Sequence, residues 1–493
     1  MKLSAREIAQ ATGGLIIDGS PETLCDGVSI DSRTIRPGQL FVPLRGSRCD
    51  GHEFIADALA RGAAGVLFLH PHPQPPHPSN SPLPQRGEGM EVRVEGLPSP
   101  CRGGAGGGVI GVPDTARALR DLAQWAVKKL NKPIVAVAGS NGKTTTKELI
   151  AHALSQRFRT HATLGNYNTE IGLALTVLNA PEDTELLVLE MGTTSRGDIA
   201  KLCEIAPPTV GVLTSISEEH TATLGNLESV IEAETELLEA LPAHGLAVVN
   251  GDDPQLIKIA WRKARCPLIT FGFAPQNDLV AEELKISRAG TRFYLRSPHW
   301  QNELQISLLG RPAVLAALAA TAVAQHFGLS FSEIRRGLMS ARPAWGRLQL
   351  ISIPDTALTV LHDAYNANPA SMREAILCAA QIRHPHEELI FVLGDMLELG
   401  SISERAHREI GRFLATDRVR PDRLIVVGEW ARLIGEEAER VGIPVQYCSN
   451  SDEAAQILSF MRDRRCFILL KGSRGMHLER VLDALSQQAL LSV

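Results

Sequence analysis

No stretch of about 18 or more consecutive apolar residues occurs in the chain, so the sequence offers no helix that would span a bilayer. The first residues, "MKLSAREIAQATGG", lack the unbroken apolar core of an export signal. They read instead as an amphipathic helix, with Ser4 and Glu7 spaced as a capping box. Cysteines at paired spacing are missing as well. The eight present, at 25, 49, 101, 203, 266, 378, 448 and 466, form no CxxC pair, which argues against a zinc site or disulfide frame and for reduced thiols. Nor is there a surplus of positive charge: a net charge of -5 supplies no basic field for nucleic acid. Together these absences predict a cytoplasmic protein with no membrane span and no nucleic-acid partner.

What is present is a long, ordinary globular composition. At 493 residues, with 44% hydrophobic and 21% charged residues, the chain exceeds one hydrophobic core, and three domains are expected. Residues 1 to about 69 mix short strands and helices: two short strands around a Pro-Gly turn in "SIDSRTIRPGQLFVPLRG", then a helix and strand in "GHEFIADALARGAAGVLFL". Residues 70–108 are rich in Pro, Gly and Ser and read as a disordered insertion. From "PIVAVAGS" onward, continuous apolar strands alternate with helices, the pattern of a mostly parallel sheet covered on both faces. The pattern restarts near "RPAWGRLQLI". The expected fold is therefore α/β in three parts: a small N-terminal domain (1–112), a central mostly parallel ATPase-type domain (113–343) and a Rossmann-like C-terminal domain (344–493).

The chemistry centres on "VAVAGSNGKTTTKE", residues 135–148. Gly139, Gly142 and Lys143 stand where an apolar strand meets a helix, so backbone amides and the helix N-terminus can hold phosphate, Lys143 can reach the terminal phosphates and Thr144 can face Mg²⁺. The loop is short. A full P-loop has a glycine five positions before Gly142, where this chain has Val137. "TELLVLEMG" ends a strand in Glu190, a carboxylate at the sheet edge where Mg²⁺ would want a hard oxygen ligand. His220, in "SISEEHTATLG", is either a second metal ligand or a solvated loop histidine.

These stretches, with "WGRLQ" and "DAYNANPASM", resemble the ATP-dependent Mur ligases of peptidoglycan synthesis, whose phosphate loop is of this shortened kind. "GNYNTEIG", "DAYNANPASM", "VLGDMLELG" and "KGSRGMHLE" are similar to the branch that adds D-alanyl-D-alanine, and "DSRTIRPGQLFVPLRG" resembles that family's uridine-nucleotide domain. The resemblance implies an ATP- and Mg²⁺-dependent ligase acting, as a monomer, on UDP-MurNAc-tripeptide and D-Ala-D-Ala through an acyl phosphate. It implies nucleotide contacts from Gly139, Ser140, Asn141, Gly142, Lys143, Thr144, Thr145, Asn250, Arg347, Asp363 and Tyr365. Thr144, Glu190 and His220 are implied as metal ligands. Ser29, Asp31, Ser32, Arg33, Asn166, Asn168 and Asn366 are implied at the substrate. Arg347 and Lys143 would meet one nucleotide from different domains, which implies closure about a hinge near residue 344.

Three departures qualify the resemblance. The family carries a carbamate-modified lysine where "AETEL" has Glu234, so Glu234 is expected to take over a metal- or water-positioning role, counted here with the catalytic groups Lys143, Glu190, His220 and Arg347. "LGRPAVLAALAA" has Pro312, Ala313 and Ala316 in place of polar residues, and "LHDAY" has His362 where a second acid is common. The alternatives are the sister ligase that adds the third residue, a folylpolyglutamate-type ligase and a nucleotide-binding regulator that has lost activity.

Overall fold

A computed structural model describes residues 1–46, 49–70, 108–217 and 221–490. By its contacts the chain divides into two compact units. One comprises 1–132, 163–185 and 204–206; the other 133–162, 186–203 and 207–493.

The first unit is built on a five-stranded sheet in the order Leu15–Asp18, Gly108–Val112, Gly65–Leu69, Leu40–Phe41, Val28–Ser29. Only the first pairing is antiparallel. The two short strands around the Pro-Gly turn therefore pair parallel to each other, Val28 with Leu40 and Ser29 with Phe41, and the residues between them form a crossover and not a hairpin. Ser4 and Glu7 do form the capping box that starts the helix Ala5–Thr12. The helix Thr115–Leu130 buries Ala118, Leu119, Leu122, Ala123 and Ala126, a stripe at helical spacing. Asp114 caps its start and Lys128 and Lys129 sit in its last turn, as its dipole favours. Of the Pro/Gly-rich segment, His70 and Gly108 belong to the sheet region: His70 N–H donates to Val112 O and Gly108 opens a strand. The remainder, 71–107, lies outside the described residues.

The second unit contains two sheets. The larger has nine strands in the order Thr160–Ala162, Leu186–Glu190, Ile134–Ala138, Val210–Leu213, Leu246–Asn250, Leu268–Gly272, Leu279–Ser287, Gly290–Arg296, Gln301–Ile306. Pairing is parallel up to Leu279–Ser287 and antiparallel for the last two. Strands 134–138, 186–190 and 246–250 are buried at every position, which is why they read as unbroken apolar runs.

The smaller sheet has six strands in the order Gln349–Ser352, Leu358–Asp363, Cys466–Lys471, Glu388–Gly394, Arg423–Val427, Val445–Cys448, parallel except for the first pair. Its side chains alternate between two cores. Leu361, Phe391, Leu393 and Leu469 enter one, while Val360, Ile390, Val392 and Ile468 enter the other. A sheet packed on both faces by crossover helices is the doubly wound arrangement. Ligands in such sheets bind beyond the carboxyl ends of the strands, and the phosphate loop, Glu190 and the stretches "DAYNANPASM", "VLGDMLELG" and "KGSRGMHLE" stand at such ends.

Candidate functional site

In the nine-stranded sheet the phosphate loop leaves the strand Ile134–Ala138. Its parallel neighbours bring Glu190 (opposite Val137) and the turn after Leu213 (opposite Ala138) to the same edge. Gly139 has φ 122 and Gly142 φ 85, conformations that an L side chain resists. At Gly139 space is equally strict: a Cβ would lie 2.3 Å from Thr214 Oγ1. Gly142 then serves as the N-cap of the helix Lys143–Leu154.

The loop rests on residues 215–217. Ser140 N–H donates to Ser215 O at 2.6 Å, Ser217 N–H to Ser140 Oγ at 3.0 Å, and Asn141 Nδ2 to Ser217 Oγ at 2.8 Å. Gly139 N–H donates at 2.7 Å to Oε2 of the buried Glu234, at the end of the helix Leu227–Glu234. Lys143 Nζ folds back onto its own loop, donating to Gly139 O at 2.5 Å and Ser140 O at 3.2 Å. Thr145 is half-buried in the helix's first turn, while Glu190 is buried at its strand end. Asn250 Oδ1 accepts from Asp252 N–H at 3.0 Å and so shapes the turn that ends its strand. His220 lies outside the described residues.

From the six-stranded sheet come the residues that meet this loop. Arg347 donates from Nη2 to Thr144 Oγ1 at 3.0 Å, and its guanidinium lies 4.4 Å from the Tyr365 ring centroid. Burial, more than any neighbour, raises the Tyr365 phenol above its ordinary range, and Arg347 opposes that rise. The turn carrying Arg347 is held by Asp363. One carboxylate oxygen accepts from Leu348 N–H at 3.0 Å, and the other pairs with Lys471 at 2.8 Å, both side chains largely buried. Lys471 also donates to Asn366 O at 2.6 Å. Asp363, expected at the nucleotide, thus has both oxygens engaged within the protein.

Three motif stretches leave the carboxyl ends of three neighbouring parallel strands, 358–363, 466–471 and 388–394, and they converge. Asn366, Ala367 and Asn368 from the first, Leu397, Glu398 and Leu399 from another, and Ser473, Arg474 and Gly475 from the third line one cleft. Asn368 joins that cleft to the phosphate loop: its Nδ2 donates to Asn141 Oδ1 at 2.8 Å. Asn368, Lys471 and Arg474 were not singled out from the sequence. Asn368 had a local signal, an Asn before a Pro that opens a helix, but that signal speaks only of a helix cap.

In the first unit, Ser29 Oγ donates to Asp31 O at 3.0 Å and accepts from Asp31 N–H at 3.2 Å. Arg33 grips both Asp31 oxygens, at 2.9 and 2.7 Å, which holds that carboxyl below its usual range. Ser32 is buried. Asn166 and Asn168 lie just before the helix Glu170–Leu178, with Asn168 N–H donating to Asn166 O at 2.7 Å.

Among the described residues no three His, Cys, Asp or Glu side chains cluster as a metal site. Mg²⁺ does not require one: it keeps several waters and takes one or two protein oxygens besides phosphate. Glu190 and Thr144, a hard carboxylate and a hydroxyl at one sheet edge beside the phosphate loop, are a donor set of that kind.

Comparison with known proteins finds relatives along nearly the whole chain. Three family models match: "Mur ligase family, catalytic domain" over 25–124, "Mur ligase middle domain" over 137–324, and "Mur ligase, glutamate ligase domain" over 346–474. The UDP-N-acetylmuramoyl-tripeptide–D-alanyl-D-alanine ligase of Bacillus subtilis (strain 168) is 34% identical, covering 99% of this chain and 100% of its own. The enzyme of the same name from Escherichia coli (strain K12) is 30% identical over 96% of both chains. Among solved structures, MurF from Acinetobacter baumannii superposes with a TM-score of 0.82, at 27% identity and 99% coverage of both chains. MurF from Thermotoga maritima, in complex with ADP, gives 0.76 at 26% identity, covering 95% of this chain and 98% of that one.

Proposed function

The chain belongs to the Mur ligase family, and we propose that it uses ATP to join D-alanyl-D-alanine to a UDP-N-acetylmuramoyl-tripeptide, making the pentapeptide precursor of peptidoglycan. The observation that carries this reading is the cleft at the ends of strands 358–363, 388–394 and 466–471, where three branch-specific stretches meet beside the phosphate loop. That cleft is the seat we assign to the dipeptide. Ser29, Asp31, Ser32, Arg33, Asn166 and Asn168 are assigned to the UDP-linked substrate, and the division 1–112, 113–343, 344–493 is kept as part of the same reading. UDP- and ATP-linked substrates suit a cytoplasmic enzyme, and nothing in the reaction needs more than one chain.

In the first step an oxygen of the tripeptide's free carboxylate attacks the γ-phosphorus of ATP and ADP leaves, giving an acyl phosphate. The dipeptide's amine nitrogen, once deprotonated, then attacks the acyl carbon, and phosphate leaves from the tetrahedral intermediate as the peptide bond forms. No protein nucleophile is needed; positioning and charge stabilisation do the catalysis. Lys143, turned from its loop carbonyls onto the phosphates, neutralises the transferred group. Arg347, already on Thr144 and braced by Tyr365, adds a second positive charge from the six-stranded sheet. Mg²⁺, held by Thr144 and Glu190 with His220, would add Lewis-acid charge at the same oxygens. Glu234 fixes the first amide of the loop, and its carboxyl is the group we assign to the place of the family's carbamate.

The test is phosphate release from ATP with Mg²⁺ and UDP-MurNAc-tripeptide, with and without D-Ala-D-Ala. Release that requires the dipeptide is expected; release indifferent to it, or none, overturns the reading. In the same assay Glu234→Gln, which keeps an acceptor for Gly139 but removes the charge, should lose turnover, and added bicarbonate should not change the parent's rate. Full turnover by Glu234→Gln would remove its catalytic role.

A further inference from the structure

We propose that Asn368 is a positioning residue that ties the dipeptide cleft to the phosphate loop through Asn141; the identity of the cleft's occupant rests on the function proposed above. Asn368 is nearly fully buried, at 4% exposure, and its side chain has no freedom to choose its orientation. It is the N-cap of the helix Pro369–Ile382: Oδ1 accepts from Ser371 N–H at 2.9 Å, while Ser371 Oγ accepts from Asn368 N–H at 3.0 Å. With the oxygen committed to the helix, the amide NH2 must face the other way. There it donates to Asn141 Oδ1 at 2.8 Å and approaches Ser217 Oγ at 3.4 Å. Asn141 completes the triangle by donating its own Nδ2 to Ser217 Oγ at 2.8 Å.

Each corner of this triangle belongs to a different structure. Asn368 lines the cleft together with Asn366, Ser473 and Arg474. Asn141 is in the phosphate loop between Gly139 and Gly142, and Ser217 is in the turn on which that loop rests. A molecule that orders residues 366–368 from the cleft side therefore orders the amide that holds Asn141. Phosphates that order the loop present Asn141 to Asn368 in return. Such coupling must be reciprocal.

Asn368→Ser keeps an oxygen that can cap the helix but is too short to reach Asn141, so it removes the bridge and spares the cap. Asn141→Ala removes the bridge from the other end, at a residue that does not line the cleft. Losing one such bond corresponds to roughly fivefold in binding. Each variant should therefore weaken ADP binding by about fivefold, and the double variant should bind no worse than the weaker single. Asn141→Ala should also raise KM for D-Ala-D-Ala by more than twofold with melting temperature unchanged, which a purely structural cap would not do. ADP affinity within twofold of the parent in both singles, multiplied losses in the double, or an unmoved dipeptide KM in Asn141→Ala would each overturn the proposal. ADP titration needs neither tripeptide nor dipeptide, so it judges the bridge even if the parent releases no phosphate on addition of D-Ala-D-Ala.

Discussion

Arg347 has two partners of different kinds: a hydroxyl in the phosphate loop and the face of Tyr365. Only a planar guanidinium serves both, since an ammonium is a compact, strongly hydrated point charge. Arg347→Lys should thus retain charge and still lose about 100-fold or more in kcat, the usual scale for removing a positioned charge stabiliser. ADP affinity should change far less, and a kcat within threefold of the parent would contradict the role. His362 and His407 bear on stability instead. Burial is the main cause holding both rings below the ordinary histidine range. Around His362, Asp363, Glu479 and Asp483 pull upward and Arg474 downward, while at His407 Asp395 pulls upward. Both ring nitrogens of His362 are buried with no hydrogen-bond partner among the described residues, and the ring meets Trp345 edge-on. The folded chain therefore favours neutral rings, whereas the unfolded chain binds protons near pH 6.5. Stability from these groups is full above about pH 6.5 and falls as the pH drops below it. Melting temperatures measured from pH 7.5 to 5.5 should show this fall. His362→Leu should make it shallower, at no loss near neutrality, because orphaned buried nitrogens cost about 1–3 kcal/mol.

At the scale of elements, the phosphate loop shows why a loop can be strict in sequence yet short. Gly139 combines φ 122 with a neighbour, Thr214 Oγ1, that would stand 2.3 Å from any Cβ, and its amide must stay aimed at Glu234. Gly139→Ala should displace the loop from the 214–217 turn and abolish measurable ADP binding, while the buried strands on either side keep the melting temperature within several degrees. ADP binding at parental strength would mean the loop has slack the geometry denies it. This loop was legible in the sequence because strand, glycines and helix are consecutive, and the same holds for strands such as 186–190 and 466–471, whose burial on both faces leaves continuous apolar runs. The antiparallel extension Leu279–Ser287, Gly290–Arg296, Gln301–Ile306 is not legible in the sequence. Half its positions face outward, so its pattern is a broken alternation, and only Gly290, with φ 123, marked the hairpin turn. Contacts such as Asn368 with Asn141 or Lys471 with Asp363 link residues more than a hundred positions apart. No local period records a partner at that distance, and they became visible only once parallel strands had set the three motif stretches side by side.

At the scale of the whole molecule, the first unit's sheet states what it needs from the Pro/Gly-rich segment. Strands Gly65–Leu69 and Gly108–Val112 pair in parallel, Gly65 opposite Gly108 and Leu69 opposite Val112. The chain leaving Leu69 must therefore travel back along the whole strand before it can enter at Gly108. Five residues at about 3.3 Å each make that return roughly 16 Å. His70 N–H bonded to Val112 O and Gly108 N–H bonded to Ala64 O fix its two ends. A direct join of His70 to Gly108 cannot span this distance, and a three-residue linker, reaching only about 10 Å, cannot either. A Gly/Ser linker of about a dozen residues meets the minimum for a parallel crossover, and loop-closure entropy grows so slowly with length that a threefold difference in the number of joining residues amounts to only about 1 kcal/mol. Replacing residues 71–107 with such a linker should leave the melting temperature within a few degrees and preserve dipeptide-dependent phosphate release. The direct join should lose the first unit's sheet and, with it, turnover of the UDP-linked substrate. A dozen-residue linker that destabilised the protein as much as the direct join would show that the segment contributes packing or binding of its own, beyond the connection that the strand register demands.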